Sequence, residues 1–157
     1  MQSKYISFWR NSKHSRFVLF KKAPLEIFLQ YAQKSPDSME AGGILLGEIH
    51  KLGFIVTLAT KPQSADIQKR AYFERSVLGH QEIANSQSKK TLGRTVYLGE
   101  WHTHYEKDPL PSCLDIYEWK KLASLKNIQP LLTVIVGTEQ LHVETVTLAE
   151  QELFFPI

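Results

Sequence analysis

Short apolar runs separated by polar turns recur along this chain, and they predict alternating strands and helices. Runs rich in β-branched and aromatic residues, bounded by polar turns, are typical of strands. An almost wholly apolar run such as residues 44–47 indicates a strand buried on both faces. The predicted strands are residues 5–9, 17–20, 44–47, 54–59, 71–73, 95–104, 131–136 and 141–148, the last of which is expected to close the chain.

Three other stretches gather apolar side chains on one helical face and predict helices at residues 23–33, 77–86 and 112–125. Pro24 suits a first helical turn, where the missing amide hydrogen costs nothing. Residues 61–69 are polar and predict a loop. Strands and helices alternate without the glycine-rich turns of a dinucleotide fold, so we expect an α/β architecture with a central mixed sheet flanked by helices.

Composition narrows the class of protein. A length of 157 residues suits one domain, and we expect residues 1–157 to form a single domain. Hydrophobic residues make up 43% and charged residues 22%, which is ordinary for a globular protein. The net charge of +3 includes no long basic run, so nucleic acid is not indicated as a partner. With no run of eighteen apolar residues and no apolar leader, we expect a cytoplasmic protein that neither spans a membrane nor is secreted.

The chain has one cysteine, Cys113. A single thiol excludes an intramolecular disulfide and any zinc site built from several thiolates. We interpret Cys113 as a small buried side chain rather than a nucleophile, because that is the commoner role of a free thiol.

A cluster of metal-binding residue types follows the strand predicted at residues 95–104. His102 and His104 are two apart, so on a strand both imidazoles point to the same face and can bind one metal. Asp115 falls in the first turn of the next predicted helix, where its carboxylate can turn back toward the strand end. Two imidazoles and one carboxylate leave a tetrahedral zinc with one position for water, which is typical of catalytic rather than structural sites.

Two further residues complete a hydrolytic interpretation. Glu40 directly precedes the glycine entrance to a buried strand and is the candidate general base that activates the metal-bound water. Ser112 could donate its hydroxyl to the oxyanion of a tetrahedral intermediate. Each residue also has an ordinary role, since Ser112 and Asp115 have the spacing of a helix capping box. The joint pattern H-x-H-x7-S-x2-D nevertheless has a chance expectation on the order of 0.0004 in a chain of this composition.

These residues resemble the JAMM motif of the JAB/MPN metalloenzyme family, a glutamate followed by His-x-His and Ser-x-x-Asp. The matching stretches are EAGGILLG at residues 40–47, GEWHTH at 99–104 and PSCLD at 111–115. The resemblance extends over roughly residues 15–148. It implies that His102, His104 and Asp115 are zinc ligands and that Glu40 is the base with Ser112 assisting. Tyr105 departs from the proline that many relatives carry after the second histidine, which bears on the conformation of that loop.

The resemblance also implies a fold and an activity. The fold would be a cytidine-deaminase-like α/β sandwich. Deaminase activity is excluded, because the chain lacks the pair of cysteines that such zinc deaminases need. Members hydrolyse peptide or isopeptide bonds after the C-terminal tail of ubiquitin-like or conjugated proteins. The compact form with Trp-His-Thr-His looks most similar to bacterial deconjugases of ubiquitin-like conjugation and anti-phage operons, whose activating and conjugating enzymes would be further partners. The tail would pair with an exposed strand, for which residues 71–76 are a candidate.

Two alternatives remain open at this point. The chain could be a JAMM peptidase of another substrate class, such as a sulfur-carrier precursor or a RadC-like protein. It could instead be a non-catalytic MPN scaffold, although such relatives lose ligands and no ligand is lost here.

Overall fold

The computed structural model describes residues 3–125 and 129–157. Ten strands and three helices follow one another in this part of the chain. They are β1 (Phe8–Asn11), β2 (Phe17–Phe20), α1 (Lys22–Tyr31), β3 (Gly42–His50), β4 (Gly53–Ala59), β5 (Ile67–Lys69), β6 (Tyr72–Glu74), α2 (His80–Lys90), β7 (Val96–Thr103), α3 (Cys113–Ala123), β8 (Leu131–Val136), β9 (Leu141–Val146) and β10 (Gln151–Pro156). None of the described helices has the length and apolar character needed to cross a membrane.

Eight strands form one sheet that closes on itself in the order β1, β10, β9, β8, β7, β3, β4, β2. The pairs β2 with β4 and β7 with β8 are parallel, and the other neighbours are antiparallel. Closure depends on β1, which pairs with β2 on one side and with β10 on the other. Strands β5 and β6 form a separate antiparallel hairpin.

The expected α/β class with a sheet of parallel and antiparallel strands is confirmed, but the sheet closes into a barrel, which the sequence did not predict. The expectation that residues 141–148 close the chain is wrong, because β10 follows and completes the barrel. Part of the loop expected at residues 61–69 is also strand, since Ile67–Lys69 form β5. The finer likeness to the cytidine-deaminase fold stays a prediction.

Helix α1 packs against the main hydrophobic core. Leu25 and Phe28 are buried on its inner face, and the Phe28 ring lies 5.4 Å from the ring of Trp101 on β7. Complete burial of a side chain such as Phe28 contributes about 1.5–3 kcal/mol. The helix therefore packs against β7, the strand that carries His102 and ends just before His104.

Helix α3 packs on a second, smaller cluster. Trp119 and Ala123 are buried against Leu131 and Ile135 of β8. Because β8 is the parallel neighbour of β7, this packing holds the start of α3 close to the end of β7. The helix that carries Asp115 is thereby placed beside the strand that carries His102.

Candidate metal centre

The site lies where the beginning of β3 meets the end of β7. Gly42 is the antiparallel partner of His102, which brings Glu40 just before β3 alongside the His-x-His segment. Two hydrogen bonds lock this junction, from Thr103 N to Ala41 O and from Ala41 N to Thr103 Oγ1, each 2.9 Å long. Residues that are 62 positions apart in the chain are therefore held side by side by the sheet.

The two histidines point to the same face, as the strand alternation predicts. Their Nε2 atoms are 3.1 Å apart, and their rings meet edge to face with centroids separated by 4.8 Å. Thr103 between them points the opposite way and is fully buried. The His102 ring also packs against Trp119 of α3, at 6.1 Å between ring centroids. Two imidazole nitrogens thus converge on one point at the edge of a groove.

Asp115 reaches this point from the first turn of α3. Ser112 caps the helix, with its hydroxyl accepting from Asp115 N at 3.0 Å and its own amide donating to Asp115 Oδ2 at 2.8 Å. The capping box expected from the sequence is therefore formed. The same carboxylate places Oδ1 3.3 Å from His102 Nε2 and Oδ2 3.3 Å from His104 Nε2.

Burial and neighbouring charges act against each other at the ionisable groups of the site. Burial alone would raise the pKa of Asp115, but hydrogen bonds from His102 and His104 hold it well below its usual range. Burial alone would lower the pKa of His104, and the hydrogen bond and charge of Asp115 raise it instead. The aspartate is consequently ionised at neutral pH, ready to bind a cation.

Glu40 is 8% exposed, and its Oε1 lies 3.8 Å from His104 Nε2, the same ring nitrogen that Asp115 approaches. Its main chain is fixed by β5, since Glu40 N donates to Lys69 O at 2.7 Å and Gln68 Nε2 donates to Glu40 O at 3.2 Å. Burial raises the pKa of Glu40 to about 7, against the opposing charge of His104. A carboxylate that titrates near neutral pH can both take up and release a proton.

The donor atoms fit a small divalent cation. One ligand atom each from Glu40, His102 and His104 lies within 4.8 Å of the others. Among His102, His104 and Asp115, the separations between donor atoms are 3.1, 3.3 and 3.3 Å. Ligands at the distances that zinc prefers in tetrahedral geometry would be about 3.3 Å apart. His102, His104 and Asp115 could therefore hold a metal with little rearrangement.

An open groove of about 560 Å³ leads away from the site. One wall is the β5–β6 hairpin, including Tyr72 and Phe73, and the other wall is α3, including Leu114 and Trp119. The hairpin can approach because residue 42 has no side chain: a Cβ on Gly42 would lie 2.5 Å from the Phe73 ring. The candidate metal centre is therefore open to solvent through this groove.

The structure brings all five residues predicted from the sequence to one end of this groove. It contradicts the interpretation of Cys113 as a buried thiol, because Cys113 occupies the first position of α3 on the exposed side of the helix. Sequence reasoning also missed Glu106, whose Oε1 is 2.8 Å from His104 Nδ1. An acidic residue two positions after the second histidine is the only signal that could have indicated it.

Comparison with known proteins identifies the family. A family described as "Prokaryotic homologs of the JAB domain" matches residues 22–150. Among curated relatives, the "CD-NTase/cGAS isopeptidase" of Pseudomonas aeruginosa is 39% identical over 155 residues, covering 98% of each chain. The protein of the same name from Escherichia coli is 34% identical over 72% of this chain and 71% of its own. That of Vibrio cholerae serotype O1 is 34% identical over 69% of each.

A solved structure supports the fold. The solution structure of a protein from Desulfitobacterium hafniense is similar with a TM-score of 0.57 and 19% identity, covering 86% of this chain and 88% of that one. The family match includes the end of β7, the loop after it and the start of α3, where His102, His104 and Asp115 meet. On the extent of this match, the chain belongs to the family of prokaryotic homologues of the JAB domain.

Proposed function

We propose that this chain is a zinc-dependent isopeptidase that releases a protein conjugated to its target through a C-terminal tail. The ligands would be His102, His104 and Asp115, with Glu40 as general base and Ser112 as a hydrogen-bond donor to the developing oxyanion. The observation that carries the proposal is the Asp115 carboxylate, whose two oxygens each lie 3.3 Å from one of two converging imidazole nitrogens.

The division of labour between the two carboxylates rests on distance. Asp115 approaches both imidazoles at 3.3 Å, whereas Glu40 approaches only His104, at 3.8 Å. Asp115 is also held ionised by its neighbours, while burial raises the pKa of Glu40 to about 7. A ligand must stay deprotonated and a general base must exchange a proton, so the environments suit Asp115 to the first role and Glu40 to the second.

The reaction adds water across an amide bond. A zinc ion would supply Lewis-acid polarisation of the scissile carbonyl and a lowered pKa for water. Glu40 would take a proton from the attacking water as its oxygen bonds to the carbonyl carbon. When the carbon–nitrogen bond breaks, Glu40 would return this proton to the leaving amine of the target lysine. The products are a free C-terminal carboxylate and a free lysine side chain.

Ser112 lies beside this path at the start of α3. Its oxygen accepts the amide hydrogen of Asp115, and that bond leaves the hydrogen of the hydroxyl to be donated elsewhere. Ser112 also lines the groove. The hydroxyl can therefore stabilise negative charge on the carbonyl oxygen during water attack.

The groove and the names of the relatives support the proposed substrate class. A groove between a strand hairpin and a helix suits an extended tail, which can add main-chain hydrogen bonds along β6. The relatives that span most of this chain are named CD-NTase/cGAS isopeptidases. We propose that the conjugated protein is of the CD-NTase type, within an anti-phage operon that also encodes its activating and conjugating enzymes. Isopeptide cleavage is favoured over processing of a sulfur-carrier precursor by these names.

The decisive experiment compares Glu40→Gln with the wild-type protein on an isopeptide-linked CD-NTase conjugate. The variant keeps the shape of the side chain but cannot accept a proton, so we expect cleavage to fall about 100- to 10,000-fold while one zinc per chain remains bound. Glu26→Gln, an equal change on the exposed face of α1, is the matched control and should cleave normally.

Two outcomes would contradict the proposal. Unchanged turnover by Glu40→Gln would remove the base from the mechanism. Cleavage of a linear fusion by the wild-type protein, with an isopeptide-linked conjugate left intact, would identify a precursor-processing peptidase instead. A chelator should abolish cleavage in both wild type and control, and a thiol alkylating reagent should not, because Cys113 has no part in the chemistry.

A further inference from the structure

The loop after the His-x-His segment carries Glu106, whose carboxylate contacts the ring of the proposed ligand His104 on the side away from the site. Glu106 Oε1 lies 2.8 Å from His104 Nδ1, the ring nitrogen that faces away from Asp115 and Glu40. An ionised carboxylate only accepts hydrogen bonds, so Nδ1 must carry the hydrogen and donate it. In the neutral imidazole, Nε2 is then left with a lone pair directed at the metal centre.

The position of Glu106 is set by its backbone. The turn between β8 and β9 holds the loop through hydrogen bonds from Thr138 N to Glu106 O at 2.7 Å and from Gln140 N to Lys107 O at 3.0 Å. Gly137 permits this approach, because a Cβ there would lie 2.6 Å from Glu106 O and 2.5 Å from Pro109 Cδ. The contact to His104 is thus made by a loop that is fastened to the sheet.

The two histidines are oriented by different means. The His102 ring packs against Trp119, and its strand is paired on both sides by β3 and β8. His104 lies just beyond the end of β7 and is anchored through its amide, which donates to Val136 O at 3.0 Å. The Glu106 carboxylate fixes the tautomer of this second ring, a task that packing against an aromatic ring cannot perform.

We infer that Glu106 is a positioning residue of the metal centre: it holds His104 in the tautomer whose Nε2 can bind the ion. The inference rests on the proposed function, since it requires His104 to be a metal ligand. A hydrogen-bonded carboxylate behind a ligating histidine typically strengthens metal binding 10- to 100-fold. The alternative is an ordinary surface ion pair, because the Glu106 side chain is 49% exposed, and such a pair would leave metal affinity unchanged.

The test measures zinc affinity by competition with a chromogenic chelator in four proteins: wild type, Glu106→Ala, Glu106→Gln and Glu139→Ala. Glu139 is the matched control, since its carboxylate pairs with exposed Lys107 of the same loop at 3.7 Å. We expect Glu106→Ala to bind zinc about 10- to 100-fold more weakly. Glu106→Gln, whose amide oxygen can still accept from Nδ1, should recover most of that loss, and Glu139→Ala should match wild type.

Two further measurements separate positioning from a merely structural role. In the zinc-loaded protein, where Nε2 would bind the ion, the Nδ1–H proton of His104 should show the downfield NMR shift of a strong hydrogen bond in wild type and lose that shift in Glu106→Ala. The thermal unfolding midpoint of metal-free Glu106→Ala should equal that of Glu139→Ala. Equal zinc affinity of Glu106→Ala and wild type would overturn the inference alone, whereas a wild-type protein that binds no zinc would overturn it together with the proposed function.

Discussion

Two of the histidine–carboxylate clusters among the described residues differ in one geometric respect. In the buried cluster of Thr60, Asp66 and His80, the side chains of Asp66 and His80 are completely inaccessible. Thr60 Oγ1 lies 2.7 Å from His80 Nδ1, and His80 Nε2 lies 2.7 Å from Asp66 Oδ2. In the metal centre, by contrast, the Nε2 atoms of His102 and His104 face each other at 3.1 Å.

Every polar atom of the buried cluster has a complementary partner. Ile44 N donates to Thr60 Oγ1 at 2.9 Å, so the hydroxyl can donate to His80, whose other nitrogen donates to Asp66. The Asp66 oxygens also accept the amides of Gln63 and Ser76. A histidine whose two nitrogens are both used in this way has none left for an ion. Convergence of lone pairs on one point, rather than the presence of histidine and aspartate, marks a metal site.

Of the substitutions that test this difference between the two clusters, Asp115→Ala should have the largest effect. Asp115→Ala removes the carboxylate that contacts both histidines and is the proposed third metal ligand. Loss of the metal should cost several kcal/mol of transition-state stabilisation. We therefore expect conjugate cleavage to fall at least about 1,000-fold. Elemental analysis should show less than one zinc per chain. A variant that retained full zinc and full activity would remove Asp115 from the ligand set.

The matching change in the buried cluster is His80→Ala, which should affect stability and not metal binding. It leaves the carboxylate of Asp66 and the hydroxyl of Thr60 buried without their partner, and breaking such a buried pair typically costs about 3–5 kcal/mol. Urea unfolding of the metal-free protein measures this loss. His50→Ala, at an exposed pair with Glu48, is the control and should change little. A loss below about 1 kcal/mol in His80→Ala would show that the cluster is dispensable.

Ser112→Gly separates the capping role of Ser112 from its proposed role as a donor. Glycine at the N-cap typically costs only a few tenths of a kcal/mol relative to serine, so the stability of the protein should be largely retained. The hydroxyl donor is lost, however, and removal of one donor to an oxyanion typically lowers kcat about 100-fold or more. Steady-state kinetics with zinc content measured in parallel would test this. Normal kcat in a stable, zinc-loaded Ser112→Gly protein would leave capping as the whole role of Ser112.

The smallest effect is a dependence of zinc affinity on pH. Asp115 raises the pKa of His104 despite burial, so this proposed ligand holds a proton in the metal-free protein at acidic pH. Zinc binding must displace that proton, so affinity should be constant well above the pKa of His104 and fall about tenfold per pH unit below it. Calorimetry in buffers of different ionisation enthalpy counts the protons released. Equal proton release at pH 6 and pH 8 would contradict the expectation.

The clustering of the candidate metal ligands could be predicted from sequence because it follows local rules. Strand alternation places His102 and His104 on one face, and the capping spacing turns Asp115 toward them. Glu40 is a candidate base from its position before a buried strand and from the resemblance, but its approach to His104 depends on the pairing of β3 with β7. The five assigned roles themselves stay predictions until the variants are measured.

The parts that sequence reasoning missed are those without a local pattern. Strand β5 is exposed along its whole length, so it has no hydrophobic alternation. Strand β10 buries only Phe154 well, and its pairing with β1 joins the two ends of the chain. The contact of Asp66 with His80 depends on a loop conformation that no spacing rule describes. Contacts between distant segments are therefore where the structure adds most.

One oxygen atom, Asp115 Oδ2, both receives the Ser112 amide hydrogen and lies 3.3 Å from His104 Nε2. The hydrogen bonds that begin α3 thus shape the site before any ion arrives. A zinc finger loses conformational entropy when it binds its metal, because it is unfolded without the ion. Here the candidate ligands are already ordered by the fold of the polypeptide. On the proposed function, we expect the apoprotein to be folded and to acquire activity when zinc binds, so that the concentration of free zinc would set how much of the protein is active.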